Sequence, residues 1–433
     1  MFKEKISLFW FRRDLRLVDN RGLEAALNGK YPVLPIFIFD DEITDELDEN
    51  DPRISFIYGT LSSISSTLEK ESSSIYCLKG ITVEVWQSIL KEFNVQAVFA
   101  NEDYEPYAIH RDSIIEQLVL EHEIPFNLYK DQVIFAKNDI LKNDHTPYTV
   151  FTPYKNKWID KLNSSETALN QANINEANFA KVRFPFPELE ALGFKRSCLK
   201  VHDYHIDQLD HYHEVRNFPA LNQTSLLSPH LRFGTVSIRS IVAQTSSNDS
   251  FLSELIWREF FMQILFHFPK VVHANFRSKY DTIHWRNNPA EFEKWTNGET
   301  GYPMVDAGMR ELNATGYMHN RVRMVVASFL CKHLLIDWRW GEAYFAKKLL
   351  DYELSSNNGN WQWAAGTGCD AAPYFRVFNP TVQLKKFDPQ MIYIKKWIPE
   401  LDSSKYPTPV VEHKKARERA IETYKKGIQQ NLR

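Results

Sequence analysis

Short apolar runs alternate with helix-length segments through the first 130 residues of the chain. The runs are rich in β-branched and aromatic residues and lie at residues 6–11, 33–40, 74–80, 95–100 and 125–130. This alternation predicts a parallel β-sheet with helices on both faces. The GxGxxG motif of dinucleotide-binding folds is absent, so the sheet carries no recognisable phosphate-binding loop. We therefore expect a Rossmann-like α/β domain over residues 1–130.

The pattern changes twice after residue 130. Residues 131–200 are polar and irregular, and we interpret them as a long interdomain connector. From residue 201 to residue 433, apolar residues recur at intervals of three and four, most clearly at residues 227–245, 253–268 and 321–338. This spacing is typical of amphipathic helices. The sequence thus predicts an α/β domain followed by an all-α domain over residues 201–433.

The composition is that of a soluble globular protein, with 433 residues, of which 43% are apolar and 14% aromatic. The high aromatic share fits either a surface that stacks on flat ligands or a large helical core. No apolar run is long enough to span a membrane and no signal peptide is evident, so we expect a cytoplasmic protein without a membrane partner. The four cysteines lack CxxC spacing, which argues against a disulfide framework, a zinc ribbon or an iron–sulfur cluster. We expect no metal.

Charge is distributed unevenly along the chain. Residues 1–200 hold 23 basic and 31 acidic groups, whereas residues 201–433 hold 29 basic and 24 acidic groups. An acidic first part joined to a basic second part suggests that a polyanion meets only the second part. A solvated surface accounts for a surplus of this size equally well.

Three stretches of the second part carry candidate chemistry. Residues 351–370 read DYELSSNNGNWQWAAGTGCD, and two tryptophans one residue apart in a polar run suggest contact with something planar. Residues 254–261, ELIWREFF, set a carboxylate one helical turn before a tryptophan. Residues 316–324, GYMHNRVRM, place Asn320 and Met324 four apart. Together these stretches resemble the photolyase/cryptochrome family, and most closely its class I cyclobutane pyrimidine dimer photolyases. The resemblance extends over nearly the whole chain and is strongest from residue 254 to residue 388.

The resemblance implies that the helical domain binds FAD. The segment from Thr224 begins with hydroxyl residues and a proline before a helical pattern, which by itself is a helix-capping motif. In the family, the matching positions contact the pyrophosphate and adenine side of FAD, and an arginine pairs with an aspartate near the flavin. The cofactor-binding residues implied here are Tyr212, Thr224, Ser225, Leu226, Leu227, Ser228, Arg323, Asp351, Tyr352, Glu353 and Asn357.

Asn357 matches the family position that faces flavin N5. An amide carries no charge there, whereas the carboxylic acid of plant cryptochromes acts as a proton donor. The asparagine therefore favours the repair branch of the family. His319 precedes Asn320 where enzymes that repair (6-4) photoproducts carry paired histidines, so that chemistry is not expected.

The resemblance also implies a DNA-lesion pocket. Two indoles would stack on the dimer, and Glu254 would bond the pyrimidine edge as a catalytic residue. Basic and polar residues would hold phosphates, which positions the DNA without reading its sequence. The implied substrate and DNA residues are Arg216, Glu254, Trp257, Arg258, Asn320, Arg321, Met324, Trp363, Gln383 and Lys386.

Two further sets follow from the resemblance. Trp285, Trp338 and Trp361 match the chain of tryptophans that reduces the flavin by light, although each fits a helical core equally well. Glu105 lies where folate-binding relatives carry a glutamate on the pterin of a second, antenna chromophore. The border residues of that folate site have no clear match, so a folate, a deazaflavin, another flavin or no antenna all remain open.

We therefore expect a monomeric enzyme that splits cyclobutane pyrimidine dimers in DNA, using light and reduced FAD. It would work in the cytoplasm, on the nucleoid if the organism is bacterial. One alternative is a cryptochrome photoreceptor without repair activity. It is disfavoured by Asn357, by Trp363 and by the short basic tail of residues 414–433. A second alternative is a flavin electron-transfer protein indifferent to DNA, which the lesion-pocket residues disfavour.

Overall fold

The protein, described as a computed structural model over residues 2–207 and 209–430, contains five β-strands and eighteen α-helices in the described part. The strands are β1 (Phe2–Phe11), β2 (Val33–Asp40), β3 (Tyr76–Gly80), β4 (Phe93–Asn101) and β5 (Phe126–Tyr129). The first nine helices are α1 (Arg21–Leu27), α2 (Asp41–Thr44), α3 (Pro52–Lys70), α4 (Thr82–Glu92), α5 (Pro106–Leu120), α6 (Phe151–Ser164), α7 (Tyr212–Val215), α8 (Ser228–Phe233) and α9 (Ile238–Thr245). The others are α10 (Asp249–His267), α11 (Pro289–Asn297), α12 (Pro303–Thr315), α13 (Asn320–Ser328), α14 (Trp338–Lys348), α15 (Leu354–Ala365), α16 (Pro380–Phe387), α17 (Ile392–Trp397) and α18 (His413–Gln430).

Packing divides the chain into two compact units whose segments interleave. The α/β unit comprises residues 1–144, 156–204 and 227–247, and the helical unit comprises residues 145–155, 205–226 and 248–433. The boundaries predicted after residues 130 and 200 stay predictions, because the segments of the two packed units do not follow one another along the sequence. The fold class, an α/β region followed by a mostly helical one, is confirmed.

The α/β unit is built on a five-stranded sheet with the order β3-β2-β1-β4-β5, in which every pair is parallel. Successive side chains of a strand point to opposite faces. In β1, Phe9 and Phe11 join one buried cluster, whereas Leu8 and Trp10 join another. Both faces are therefore covered, which explains why the strands read as continuous apolar runs.

The expectation that residues 131–200 are irregular was wrong for α6. This helix of 14 residues runs from Phe151 to Ser164 and buries Tyr154 and Trp158. The apolar residues Phe151, Tyr154 and Trp158 recur at intervals of three and four, but Pro153 near the start and a polar surrounding sequence hide the pattern. Pro153 is tolerated because the first turn of a helix leaves its amides without intrahelical partners.

The helical unit surrounds one large aromatic core. Its fully buried members include Trp295, Phe329, Trp338, Phe345 and Trp361. Two glycines permit helices to approach closely within this unit. A Cβ at Gly341 would overlap the indole of Trp361, and a Cβ at Gly359 would overlap the ring of Phe261. The pairs α14–α15 and α10–α15 are therefore packed at close range.

Among residues 2–207 and 209–430, no helix has both the length and the apolar character needed to cross a membrane.

Candidate functional site

Helix α10 carries a group of partly exposed side chains on a helix that is mostly buried. Asn248 caps its first turn, because the side-chain oxygen accepts a hydrogen bond from the Phe251 amide at 2.9 Å. Glu254, Trp257 and Arg258 lie at spacings of three and four and are partly exposed, whereas most of the other side chains of the helix are buried. The predicted helical turn between Glu254 and Trp257 is confirmed.

Glu254 forms an ion pair with Arg216, with Nη1 and Oε1 2.7 Å apart. Burial raises the pKa of the Glu254 carboxyl, although the positive charge of Arg216 and its hydrogen bond act in the opposite direction. The two residues, predicted separately for the lesion and the DNA backbone, are therefore direct partners.

The two predicted lesion-stacking indoles differ in their surroundings. The Trp257 ring stacks on Phe151 with a centroid separation of 3.7 Å and an interplanar angle of 7°. One face of Trp257 is thus covered by protein. Trp363 is half-buried, and its ring centroid lies 6.4 Å from that of Phe378. The contact from Phe151 was not anticipated, because that residue lies more than 100 positions earlier in the chain.

Helix α13 begins at Asn320. His319 caps it, with Nδ1 accepting a hydrogen bond from the Arg321 amide at 3.1 Å. Burial, followed by the nearby arginines, lowers the pKa of His319 to about 4, so the imidazole is neutral and serves as an acceptor. The Arg321 guanidinium donates to Asn217 Oδ1 at 2.6 Å. Asn320 is exposed and Met324 is half-buried.

Arg323 and Asp351 form a two-point ion pair. Nη1 and Nη2 lie 3.2 and 3.0 Å from the two carboxylate oxygens, and Nε donates to the Met318 carbonyl at 2.7 Å. Bidentate pairing of this kind fixes the orientation of both groups. The pairing that the family resemblance implied is thus present.

The first turn of α15 concentrates buried polar groups. Glu353 precedes it and is ion-paired with Arg258 at 3.6 Å. Ser355 is buried, and its Oγ has no hydrogen-bond partner among residues 2–207 and 209–430. Asn357 is also buried, and its Nδ2 donates to the Glu342 backbone oxygen at 3.1 Å and to Glu342 Oε1 at 2.8 Å. These groups form a polar surface around the first turn of α15, on which Ser355 Oγ is the group without a partner in the described ranges.

Beyond that turn, Asn358 and Gln362 hold α15 in place. Their side-chain amides donate to the Val271 carbonyl at 2.9 and 3.1 Å, and Gln362 also donates to Asn358 Oδ1 at 3.1 Å. Such a buried amide ladder fixes the rotation of the helix about its axis. It therefore determines which side chains of α15 face the polar surface.

The three indoles of the predicted electron chain lie in or against the aromatic core. Trp361 is buried against Phe345 and Trp295, with centroid separations of 5.0 and 6.2 Å. Trp338 is also buried, and its Nε1 donates to Asn275 Oδ1 at 2.9 Å. Trp285 is half-buried and meets Tyr424 edge-on at 5.8 Å. Each indole thus has a packing role as well.

The predicted phosphate-contacting segment begins in the helical unit, where the Ser225 carbonyl accepts a hydrogen bond from the His205 amide at 2.8 Å. Leu226 has φ of +52°, a left-handed conformation that is strained for leucine. In the α/β unit, α8 begins at Ser228, as expected, without a side-chain cap from Leu227. Such strain is often associated with a functional site.

Other predicted residues also belong to the helical unit. Tyr212 begins α7, its ring meets Phe251 edge-on at 5.2 Å, and burial raises its pKa to about 12. Thr224 is half-buried, and Tyr352 packs against the aromatic core. On α16, Lys386 is exposed and Gln383 is half-buried, with Oε1 lacking a hydrogen-bond partner within the described ranges.

The α/β unit holds a charged cluster at the carboxyl ends of β1 and β4. Glu105 precedes α5 and lies 2.9 Å from Arg13 and 3.8 Å from Arg232. Arg12 pairs with Asp112. The strand order reverses between β1 and β4, and crevices at such points are common ligand sites. A cavity of about 520 Å³ lies elsewhere in this unit, and Glu105 is not among its lining residues.

Sequence reasoning missed Ser355, Glu342 and Phe151. A serine inside a helix or a glutamate on another helix carries no local signal of a shared site. Ser355 lies between two predicted residues, so its position in the first turn of α15 was the available hint.

Models of protein families match both parts of the chain. The model described as DNA photolyase matches residues 7–173, and the one described as the FAD binding domain of DNA photolyase matches residues 251–405. A deoxyribodipyrimidine photo-lyase of Halobacterium salinarum is 34% identical over 479 residues, covering 98% of this chain and 99% of that protein. The Escherichia coli protein of the same name is also 34% identical, covering 96% of this chain and 98% of its own length.

Solved structures are similar over nearly the full length as well. A bacterial class III photolyase from Agrobacterium tumefaciens has a TM-score of 0.87 and 32% identity, with 99% of each chain covered. An archaeal photolyase from Sulfolobus tokodaii, solved with two FAD molecules, has a TM-score of 0.85 and 34% identity, covering 97% of this chain and 99% of that one. A Synechocystis cryptochrome has a TM-score of 0.85 at 26% identity, with 97% and 99% covered.

Proposed function

The chain belongs to the DNA photolyase family, and from this premise we propose that it is a light-driven DNA repair enzyme that splits cyclobutane pyrimidine dimers. Bound FAD, in its reduced form, would supply the electron that light transfers to the dimer. The residues of the chain bind and orient the cofactor, hold the dimer beside it and stabilise the charge that develops.

One observation carries this proposal: α10 and α15 are packed together as a single helix pair. Phe261 of α10 lies against Gly359 of α15, and Arg258 of α10 is ion-paired with Glu353 at the start of α15. The pair joins the helix with the proposed lesion residues to the helix with the proposed flavin residue Asn357. Electron transfer requires such proximity between donor and acceptor.

The polar surface at α15 fits a large polar cofactor. Ser355 Oγ is buried without a partner in the described part of the chain, and a buried hydroxyl in that state costs about 1–3 kcal/mol unless something bonds to it. Asp351, Glu353 and Asn357 lie in the same stretch and offer oxygens and an amide. We propose that these residues, with Arg323, Tyr352, Tyr212 and the segment from Thr224 to Ser228, hold FAD.

The proposed lesion contacts lie on three helices. Glu254 would bond the edge of a flipped pyrimidine and stabilise the charge that develops on its carbonyls. Trp257 and Trp363 would stack on the dimer. Asn320 and Met324 would complete the pocket. A dimer stacked inside the duplex cannot reach these residues, so we propose that it is flipped out of the duplex.

We propose that DNA is held through its phosphates, without sequence readout. The basic and polar residues for this contact are Arg216, Arg258, Arg321, Gln383 and Lys386. Arg216 and Arg258 are also ion-paired with Glu254 and Glu353, so binding of DNA would compete with those pairs or add to them. The protein would act as a monomer in the cytoplasm, where its DNA substrate lies, on the nucleoid in a bacterium.

Two further roles, electron transfer to the flavin and light collection, complete the proposal. Trp361, Trp338 and Trp285 would carry electrons toward oxidised flavin when it is photoreduced. If the protein carries a second chromophore, which would be a folate, a deazaflavin or a flavin, it would collect light near Glu105; a protein without an antenna is the other alternative. The Sulfolobus tokodaii photolyase, solved with two FAD molecules, supports a second chromophore in this family.

The test is direct. The protein is reduced, mixed with an oligonucleotide that contains one thymine dimer, and illuminated with near-ultraviolet or blue light. Recovery of thymine absorbance in the light, and none in the dark, supports the proposal. A protein that retains FAD but restores no absorbance would act as the alternative, a cryptochrome photoreceptor without repair.

A further inference from the structure

The first turn of α6 packs along α10 within the helical unit. Phe151, Tyr154 and Lys155 recur at intervals of three and four, so they lie on one face of α6. Lys155 Nζ donates to Ser253 Oγ at 2.6 Å, and Tyr154 Oη donates to Oε1 of the buried Glu259 at 3.2 Å. These two hydrogen bonds fix the first turn of α6 along α10.

The ring of Phe151 covers one face of the Trp257 indole. The two rings are 7° from parallel and their centroids lie 3.7 Å apart, so they overlap over most of the phenyl ring. The rings of Phe260 and Phe261 also contact Trp257, with centroid separations of 5.6 and 5.3 Å. Both of those rings belong to α10, whereas Phe151 comes from a different helix. The stack therefore holds the plane of the indole relative to a second segment of the fold.

Phe151 is itself held in place. Its side chain is 8% exposed, and its ring meets that of Phe260 edge-on at 5.8 Å. The Phe151 amide donates to Asp370 Oδ2 at 2.9 Å. An amide at the start of a helix has no intrahelical partner, so this bond satisfies it and joins the start of α6 to the segment that follows α15. Phe151 is thus attached to α10, which carries Trp257, and to the segment after α15, which carries Trp363.

An indole that stacks on a base binds best when its orientation is fixed before the base arrives. Trp257 is half-buried, and a side chain with such exposure can sample several rotamers when no neighbour restrains it. Restricting the side chain only on binding weakens the affinity, whereas a ring that is already fixed avoids this loss. A parallel stack at 3.7 Å restrains the indole, because turning it about its side-chain bonds would bring it into the Phe151 ring.

We propose that Phe151 is a positioning residue of the lesion pocket, whose ring fixes the Trp257 indole in the plane in which it meets a flipped pyrimidine. This inference rests on the proposed function, in which Trp257 stacks on the dimer. It deepens that proposal, because it assigns part of the preference for damaged DNA to a side chain of α6 that acts through Trp257.

Two substitutions of Phe151 separate the aromatic stack from apolar burial. Phe151→Tyr keeps the ring, whereas Phe151→Leu keeps an apolar side chain that has no face to stack. With FAD-loaded protein in the dark, we expect the Leu variant to bind an oligonucleotide with one thymine dimer roughly three- to tenfold more weakly than the wild type. Its affinity for the undamaged oligonucleotide should be unchanged, and the Tyr variant should bind both as the wild type does. The ratio of the two affinities, the dimer preference, is the quantity to compare.

Phe268→Leu is the matched control. It removes a ring from the end of α10 that meets Phe276 edge-on at 5.0 Å. This variant should lose packing on the same helix but keep the dimer preference of the wild type. A Phe151→Leu variant with the wild-type preference would overturn the proposal. An equal loss of preference in Phe268→Leu would overturn it as well, because the effect would then come from general loosening of α10.

A second background tests whether the effect passes through Trp257. With Trp257→Leu in place, Phe151→Leu should cause no further loss of dimer preference, because no indole remains to be oriented. A further loss as large as the one seen with Trp257 present would refute the positioning role, since Phe151 would then act independently of the indole.

A measurement without DNA keeps this inference distinguishable from the proposed function. The protein has 11 tryptophans, and after labelling with fluorotryptophan the ¹⁹F resonance of Trp257 is the one missing from Trp257→Phe. It should shift in Phe151→Leu and stay near its wild-type position in Phe151→Tyr, because the stacked ring shields the indole. An unshifted resonance in the Leu variant would refute the stack. A wild type without any dimer preference would refute the proposed function, whereas a preference that Phe151→Leu retains would refute the role of Phe151 alone.

Discussion

A buried lysine should make the stability of this protein depend on pH in an unusual direction. Lys332 lies in a π-helical turn, Phe329–Leu334, and is 1% exposed. Its Nζ donates to the Ala365 carbonyl at 2.6 Å and lies 3.7 Å from the centroid of the Tyr424 ring. Lys332 forms no ion pair with a carboxylate within the described residues. Burial therefore lowers its pKa from 10.5 to about 7.

The sign and size of the effect follow from the difference in proton binding. Between pH 7 and pH 10.5 the unfolded chain binds a proton at Lys332 that the folded chain releases, so stability rises with pH across this window. Lowering the pKa of Lys332 from 10.5 to about 7 corresponds to about 5 kcal/mol. This cost of burying the charged lysine is fully present below pH 7. The cation–π contact with the Tyr424 ring stabilises the charged ammonium by roughly 0.5–2 kcal/mol.

The perturbation is Lys332→Met, which keeps most of the chain length and removes the titrating group. The Ala365 carbonyl stays satisfied in this variant, because Tyr424 Oη also donates to it at 2.7 Å. We expect the variant to be more stable than the wild type at pH 7, by roughly 2–4 kcal/mol after the loss of the Tyr424 contact. The difference should shrink steadily as the pH rises toward 10.

The assay is urea unfolding of the wild type and the variant at a series of pH values from 6.5 to 9.5. Lys426→Met is the matched control, because Lys426 is a solvent-exposed lysine on α18 and its replacement should leave the pH dependence unchanged. A stability difference between wild type and Lys332→Met that stays constant over the whole pH range would show that Lys332 does not titrate with a lowered pKa.

Four further outcomes are expected. Replacing Glu254 by Gln should slow repair by roughly tenfold or more while FAD binding is retained, because a charge-stabilising contact is lost; equal repair rates would contradict its role. Trp338→Phe should sharply reduce light-driven reduction of oxidised flavin but spare repair by pre-reduced enzyme, as absorbance and repair assays would show. Asn357→Asp should change the absorbance spectrum of the illuminated protein toward the neutral flavin radical, and an unchanged spectrum would count against the proposed position of Asn357. Affinity for dimer-containing DNA should fall steeply with salt but not vary with flanking sequence, and a salt-independent affinity would contradict phosphate contacts.

The sequence pattern predicted the sheet well because a strand covered on both faces leaves an unbroken apolar run. The run at residues 33–40 coincides with β2, whereas β4 begins at Phe93, two residues before the predicted start. Helix α6 escaped the pattern because Pro153 and polar neighbours obscure the spacing of Phe151, Tyr154 and Trp158. Local periodicity therefore predicted the elements whose residues are mainly apolar, and it failed to predict α6, whose residues are mainly polar.

The candidate site depended on the family resemblance more than on physical patterns. No spacing rule joins Arg323 to Asp351, which lie 28 residues apart, yet they form an ion pair. The link from Glu342 to Asn357 and the stacking of Phe151 on Trp257 were not foreseen, because both contacts join separate helices. Trp361 was singled out as a partner for a planar group, and the structure shows that it is also a core residue. Tertiary contacts between distant segments are the part that a single sequence does not encode locally.

We propose that one helix pair, α10 and α15, holds a reduced flavin and a pyrimidine dimer within reach of electron transfer. The most direct measurement is the fluorescence lifetime of the reduced, FAD-loaded protein with and without DNA. We predict that an oligonucleotide with one thymine dimer shortens the lifetime, because the excited flavin loses its electron to the dimer, whereas the undamaged oligonucleotide of the same sequence does not. Bound dimer-containing DNA that leaves the lifetime unchanged would contradict the account.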